Sequence, residues 1–224
     1  MHYLAMDLKL PEPAKDRRVR RSRAALMRAA VELVTERGTA AVALSDIAEA
    51  ADVSRRVVYQ HFGDRDTLLL EAGLDLARRE LLPRLMDCPP ETSGRDRALA
   101  VSRHFAEHRV FYRALLTGSC AFALDRGLIS LLLPVNRQSV RQLYGDRLDP
   151  QTVDDMATFL AGGGAAFVTT WVVEAADPLD PEAFTDRLLR VTSVLSTAAH
   201  HQSADAPETA VPPSVGTSAL EDRP

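Results

Sequence analysis

Cysteine is scarce. Cys88 and Cys120, two in 224 residues, have neither the density of a disulfide framework nor the CxxC spacing of a structural zinc site, and they fit a reducing cytoplasm. No stretch stays apolar for the roughly 20 residues a bilayer crossing takes. The nearest, residues 161–176, is interrupted by three glycines, two threonines and Glu174, so no membrane span is expected. The first 15 residues carry Asp7, Glu12 and two prolines where a secretory leader would be apolar, so no export is expected either. Also missing are a phosphate-cradling glycine loop, a metal cage and a nucleophile with a spaced base. The chain is therefore expected to be no enzyme and to need no cofactor. Sustained period-two alternation is absent, which leaves an all-α fold. With 46% hydrophobic residues the chain can bury a core in one or two domains.

Charge is unevenly spread. Between Lys9 and Arg28 stand eight basic residues against Glu12 and Asp16, whereas residues 71–224 hold 15 basic and 21 acidic side chains. A basic end on an acidic chain meets a polyanion or is simply a solvated arm; charge alone leaves both open.

Helical spacing organises the rest. Residues 17–37 form a first helix with Leu26, Ala30, Leu33 and Val34 on one face and Gly38 at its left-handed cap. Two short segments, 45–51 and 54–62, each begin at a serine suited to capping, and Ile47, Ala51, Val58 and Phe62 would close a small core on the first helix. A longer helix starts near Asp66, capped by Asp64, and runs toward Pro83. Residues 87–94, with Pro89, Pro90, Ser93 and Gly94, are the best internal break. Beyond it Val101, Phe105, His108 or Arg109, Tyr112 and Leu116 repeat as one helix, and residues 128–144 form another, bent at Pro134. Asp149-Pro150 and Asp180-Pro181 announce two more, lined by Val153, Met156, Leu160, Gly164, Phe167 and Trp171, and by Phe184, Leu188, Val191 and Leu195. From His201 onward the chain lacks apolar area to offset ordering, so a disordered tail is expected over 201–224. The expected divisions are a flexible basic arm, 1–16, a three-helix unit, 17–65, and a larger helical domain, 66–200.

The informative stretch is residues 44–69, LSDIAEAADVSRRVVYQHFGDRDTLL. Two short helices joined by Ala51-Asp52-Val53-Ser54 make a helix-turn-helix, whose second helix enters the major groove of double-stranded DNA. Arg55 and Arg56 stand where side chains reach base edges, and an arginine forks onto guanine O6 and N7. Gln60 suits adenine and Val57 a thymine methyl. Tyr59, His61 and Arg65 are placed for phosphates, with Ser45 and Ser54 supplying caps or phosphate contacts.

Residues 20–69 resemble the DNA-binding domain of the TetR family of bacterial transcriptional regulators: Gly38, Ile47-Ala48, Ala51, Val53-Ser54, Tyr59, His61-Phe62 and Leu68-Leu69 stand at that family's spacing. The resemblance implies an all-α homodimer, cytoplasmic, whose C-terminal domain binds a small-molecule effector and dimerises through its last two long helices. Three positions depart from the pattern. Asp52 replaces the turn glycine and tolerates left-handed backbone better than most residues; Arg65 replaces lysine; Ala43-Leu44-Ser45 lacks the usual threonine. The Arg55-Arg56 pair means that an operator sequence cannot be borrowed from relatives.

Past Leu69 the residues speak for themselves. Met86, Phe105, His108, Phe111, Tyr112, Phe122, Met156, Phe159 and Trp171 would line a pocket for an apolar or aromatic effector, or be plain core. His104 and His108 have metal-ligand spacing, but no Cys or acidic pair completes four ligands, so no metal site is expected; a solvated pair, or one histidine hydrogen-bonding a ligand, is favoured. Gly162-Gly163-Gly164 costs about 1 kcal/mol per residue in a helix. Close packing at a dimeric four-helix interface built from Gly163, Gly164, Phe167, Leu188, Val191 and Leu195 would offset it, and a local bend or break is the alternative. Such a dimer would bind a palindromic operator, by default as a repressor released by its effector; activation stays open.

Overall fold

The computed structural model describes residues 14–86 and 94–204, and every regular element among them is helical. The expected arm up to residue 13, the Pro/Gly break at 87–93 and the tail from 205 lie outside the described residues. Residues 14–16 and 201–204, expected in arm and tail, are helical backbone.

Helix α1 (Ala14–Arg37) stops at Gly38, whose φ of 65° is open to glycine at little cost and whose N–H reaches the Val34 carbonyl at 2.9 Å. Helices α2 (Leu44–Ala50) and α3 (Arg55–Phe62) have seven and eight residues, too few to persist alone. They are held by burial of Ile47, Ala48, Val58 and Phe62 against Leu26, Ala30 and Val34. Each larger side chain among these contributes about 1.5–3 kcal/mol. Leu33 and Ala51, expected inside, are half-buried at the edge of this core.

The serine caps are not formed. Ala43 takes the N-cap of α2, leaving Ser45 inside the helix with its hydroxyl on Asp46, and Ser54 sits at the N-cap of α3 without a side-chain cap bond. The aspartate caps are formed. Asp64 accepts the Thr67 N–H at 2.7 Å and opens α4 (Arg65–Leu76). Helix α4 continues through a π-helical turn, Ala77–Leu81, into α5 (Leu82–Met86), where Pro83 falls in the first turn.

The single helix expected around Phe105 and Tyr112 is two, α6 (Gly94–Glu107) and α7 (Arg109–Leu116), because His108 leaves helical geometry at φ −105°, ψ 25°. Helix α8 (Ala121–Tyr144) begins seven residues earlier than expected and carries Pro134 within it. Asp149 accepts the N–H groups of Gln151 and Thr152 to open α9 (Pro150–Glu174), and Asp180 accepts those of Glu182 and Ala183 to open α10 (Pro181–Ala204).

Helices α8 and α9 make the most extensive helix pair. The buried face of α9 is Val153, Ala157, Ala161, Val168, Trp171 and Val172, rotated from the expected stripe: Met156, Leu160, Gly164 and Phe167 are only half-buried. Alanine at the contact lets two helix backbones approach closely, so the bulkier residues lie at the flanks. Contrary to the expectation from its glycines and threonines, α9 is by length and composition apolar enough to cross a membrane, and only 28% of its most apolar window is buried within the chain.

The described residues up to Leu189 form one compact unit and those from Arg190 a second, with α10 shared between them. A continuous core runs through the first unit from Leu26 to Phe184. Helix α4 packs on both α1 and α8, so the packing is continuous across the expected division at 65/66.

Candidate DNA interface

The turn between α2 and α3 puts Asp52 at φ 53°, the only described non-glycine residue with positive φ, in the conformation its short polar side chain tolerates. From this turn α3 projects with Val58 and Phe62 inward and Arg55, Arg56, Tyr59 and Gln60 outward, Tyr59 being 59% exposed. An exposed tyrosine ring between arginines and an amide has the donors and faces to meet phosphate oxygens and base edges.

Arg23 fixes the angle of α3. From α1 its guanidinium donates to the His61 carbonyl at 2.9 Å, pairs with Glu71 of α4, and lies 4.6 Å from the centre of the Phe62 ring. Arg37 pairs with Asp46 at 2.6 Å and does the same for α2; its hydrogen bond, followed by that from Ser45, lowers the Asp46 pKa. Counted from sequence as part of a basic end, Arg23 is a brace within the fold. No local signal distinguishes it from its neighbours, because its partners lie 38 to 48 residues away.

Not all expected contacts lie on the outer surface. His61 Nε2 is 2.8 Å from Ser22 Oγ, its ring meets Phe62 edge-on, and burial, with Arg23 adding, lowers its pKa; it is a neutral link to α1 rather than a free phosphate donor. Val57 is half-buried and packs on the core, which limits what it can offer a thymine methyl. Ser45 is half-buried in α2, Ser54 exposed at the head of α3, and Arg65 half-buried beside Asp66 at 3.3 Å.

The nine residues expected around an effector differ widely in exposure. Phe105, Phe111, Tyr112 and Trp171 are buried, the first three in contact as a ring cluster and Trp171 stacked on Phe184 at 4.1 Å. Met86, Phe122 and Phe159 are 47%, 78% and 65% exposed, while His108 and Met156 are half-buried. They scatter because helical spacing gives a residue's face but not which neighbour covers it. Two open recesses of about 270 and 290 Å³, one by Gly38, Arg65 and Ser119 and the other at residues 64–66, contain none of the nine.

Of the expected interface residues, Gly163 is exposed, Gly164, Phe167 and Leu188 are half-buried, and Val191 is exposed. The side chain of Leu195 lies outside the described residues. A Cβ built on Gly162, Gly163 or Gly164 would meet nothing within 4 Å, so no neighbour in the described chain requires glycine there. The alternative of a break is not realised, since α9 is continuous from Pro150 to Glu174.

A helix-turn-helix whose arginine-led second helix faces solvent, on an all-α frame, defines a DNA-binding protein. Residues 26–72 match the family model described as bacterial regulatory proteins, tetR family, so this segment of the chain is similar to that family's DNA-binding domain. It is 40% identical over 95 residues to the HTH-type transcriptional repressor Rv3405c of Mycobacterium tuberculosis, a match covering 42% of this chain. The chain thus spans about half the length, 47%, of the curated relatives it matches. Among solved structures, the dihydroxyacetone kinase operon activator DhaS superposes with a TM-score of 0.57 at 12% identity, covering 78% of this chain and 95% of that one. A TetR-family transcriptional regulator from Rhodococcus sp. superposes at 0.53 with 22% identity, covering 78% and 98%. At these identities the superpositions establish the fold.

Proposed function

We propose that the chain is a ligand-responsive transcriptional regulator that binds a palindromic operator as a homodimer in the cytoplasm and is released by a small apolar or aromatic effector. The observation that carries the reading is the outward face of α3: Arg55, Arg56, Tyr59 and Gln60 point to solvent from a helix clamped by Arg23 and Phe62. Two copies related by a two-fold axis would offer two such helices, which read successive major grooves when about 34 Å apart. What supports the dimer is the exposed apolar side of α9, with Phe159 and the open glycine run. What supports effector control is the ring cluster directly behind α4, where the Tyr112 hydroxyl donates to the Gly73 carbonyl at 3.2 Å. A ligand parting those rings would move α4 and, with it, the spacing of the reading helices, so operator affinity would fall by the same factor by which the operator weakens the ligand. Repression is the reading adopted; Rv3405c is named a repressor and DhaS an activator.

The test is selection of bound DNA from a random pool, followed by gel shift on the selected site. Arg55→Ala and Arg56→Ala should each cost about 1–3 kcal/mol on that site and relax base choice, whereas Tyr59→Phe should weaken all sites alike. Equal losses on selected and random DNA for the arginine variants would refute base reading by α3.

A further inference from the structure

We infer that Glu80, His104 and His108 form a binding site for one divalent transition-metal cation of the zinc type, away from the DNA interface. Three segments converge on it: the π turn after α4 supplies Glu80, α6 supplies His104, and the break before α7 supplies His108. One ligand-capable atom from each lies within 4.8 Å of the others. The two imidazole centres are 4.9 Å apart. With Zn–N bonds of about 2.1 Å, two imidazoles on one tetrahedral ion have centres about 5 Å apart, so the rings already stand at the spacing an ion requires.

Hydrogen-bond logic identifies the atom His104 would offer. When the Tyr112 hydroxyl donates to the Gly73 carbonyl at 3.2 Å it accepts from His104 Nε2, 3.0 Å away. In that tautomer Nε2 carries the ring proton and Nδ1 a lone pair. His104 is fully buried, and Nδ1 has no hydrogen-bond partner. A buried polar atom left so costs about 1–3 kcal/mol, an expense folded chains rarely carry without use. Metal-bound histidines characteristically donate their other N–H to an oxygen that fixes the tautomer, and the Tyr112 hydroxyl stands at the distance for that role.

At the second histidine, His108 Nε2 lies 2.7 Å from Glu80 Oε2, a distance bridged by a proton. An ion bonded to both at about 2.0–2.1 Å needs them about 3.3 Å apart, an opening of roughly half an ångström. Both side chains are partly exposed, so an ion from solvent can reach them. The Arg84 charge opposes a cation, but Glu107, 3.8 Å from Arg84, and the Glu80 carboxylate offset it. Three protein ligands leave a fourth position for water or an anionic donor. Glu80 belongs to a π turn, a helical irregularity frequent at functional sites.

Binding of the ion does not depend on the DNA-binding reading; an effect on DNA would, because the ion ties the continuation of α4 to α6. The experiment takes the full chain, stripped with EDTA, and titrates Co²⁺ while following its visible d–d absorption, then displaces it with Zn²⁺. The expected result is one equivalent per chain with an intense tetrahedral spectrum, weakened at least about tenfold in affinity by Glu80→Gln and by His108→Gln. Metal-free circular dichroism and melting of both variants should match the parent, since each keeps a hydrogen bond across the pair. No saturable spectrum, or one that both variants retain, would overturn the site. Gel shift with and without Zn²⁺ is read separately: failure of the chain to bind any DNA would sink the regulator and leave the Co²⁺ result standing.

Discussion

Tyr112→Phe removes one oxygen atom from the centre of the molecule, and the structure states what that oxygen does. The residue is fully buried, and its hydroxyl bridges His104 Nε2 at 3.0 Å and the Gly73 carbonyl at 3.2 Å. The Gly73 carbonyl keeps its helical donor, the Ala77 N–H, and so loses little. The His104 ring loses its hydrogen bond to Tyr112, while Nδ1 already has no partner. The stranded Nε2 should cost about 1–3 kcal/mol. For a chain of this size, 1 kcal/mol corresponds to roughly 2–4 °C, so a melting midpoint lower by about 2–12 °C is expected in metal-free buffer. In Tyr112→Phe/His104→Leu both partners become apolar and the penalty should largely vanish, making the double variant less destabilised than the sum of the singles. Calorimetric melting of the four proteins measures this coupling. A single variant within about 0.5 kcal/mol of the parent, or strict additivity in the cycle, would refute the hydrogen-bond account.

Three further outcomes follow from particular residues. Gly163→Arg places a charge on the exposed side of α9, where a Cβ has nothing within 4 Å; light scattering after gel filtration should show the proposed dimer converted to monomer, and a dimer unchanged by the substitution would move the interface elsewhere. Asp64 is held below its ordinary pKa of 3.8 by the Thr67 N–H, so its cap on α4 is present above that value and is lost as the pH falls through the depressed one. Asp64→Asn should melt like the parent at neutral pH but lack this acid sensitivity, and Asp64→Ala should melt lower at neutral pH. Arg109→Met strips donors from the Val172 and Ala175 carbonyls and from Asp177 at the end of α9, and denaturant titration should register a loss of about 1.5–3 kcal/mol.

Local chemistry was readable wherever a few neighbouring residues settle it. Asp149-Pro150 and Asp180-Pro181 start helices, Gly38 ends one, and Asp52 accepts the left-handed turn, because capping and backbone sterics act over three or four residues. The helix-turn-helix was legible for the same reason: the inward places of Ile47, Val58 and Phe62 and the outward place of Arg55 follow from spacing on two short helices. Contacts between distant segments were not legible. Arg23 belongs to the α3 brace because Glu71 and the His61 carbonyl come to it from far along the chain. His104 and His108, four residues apart, gave no hint that Glu80 would join them or that the Tyr112 hydroxyl would meet His104 Nε2. Periodicity assigns a side chain to a face, and only tertiary packing decides what stands opposite that face; Phe111 and Phe159, equally apolar in sequence, end one in the core and the other in solvent.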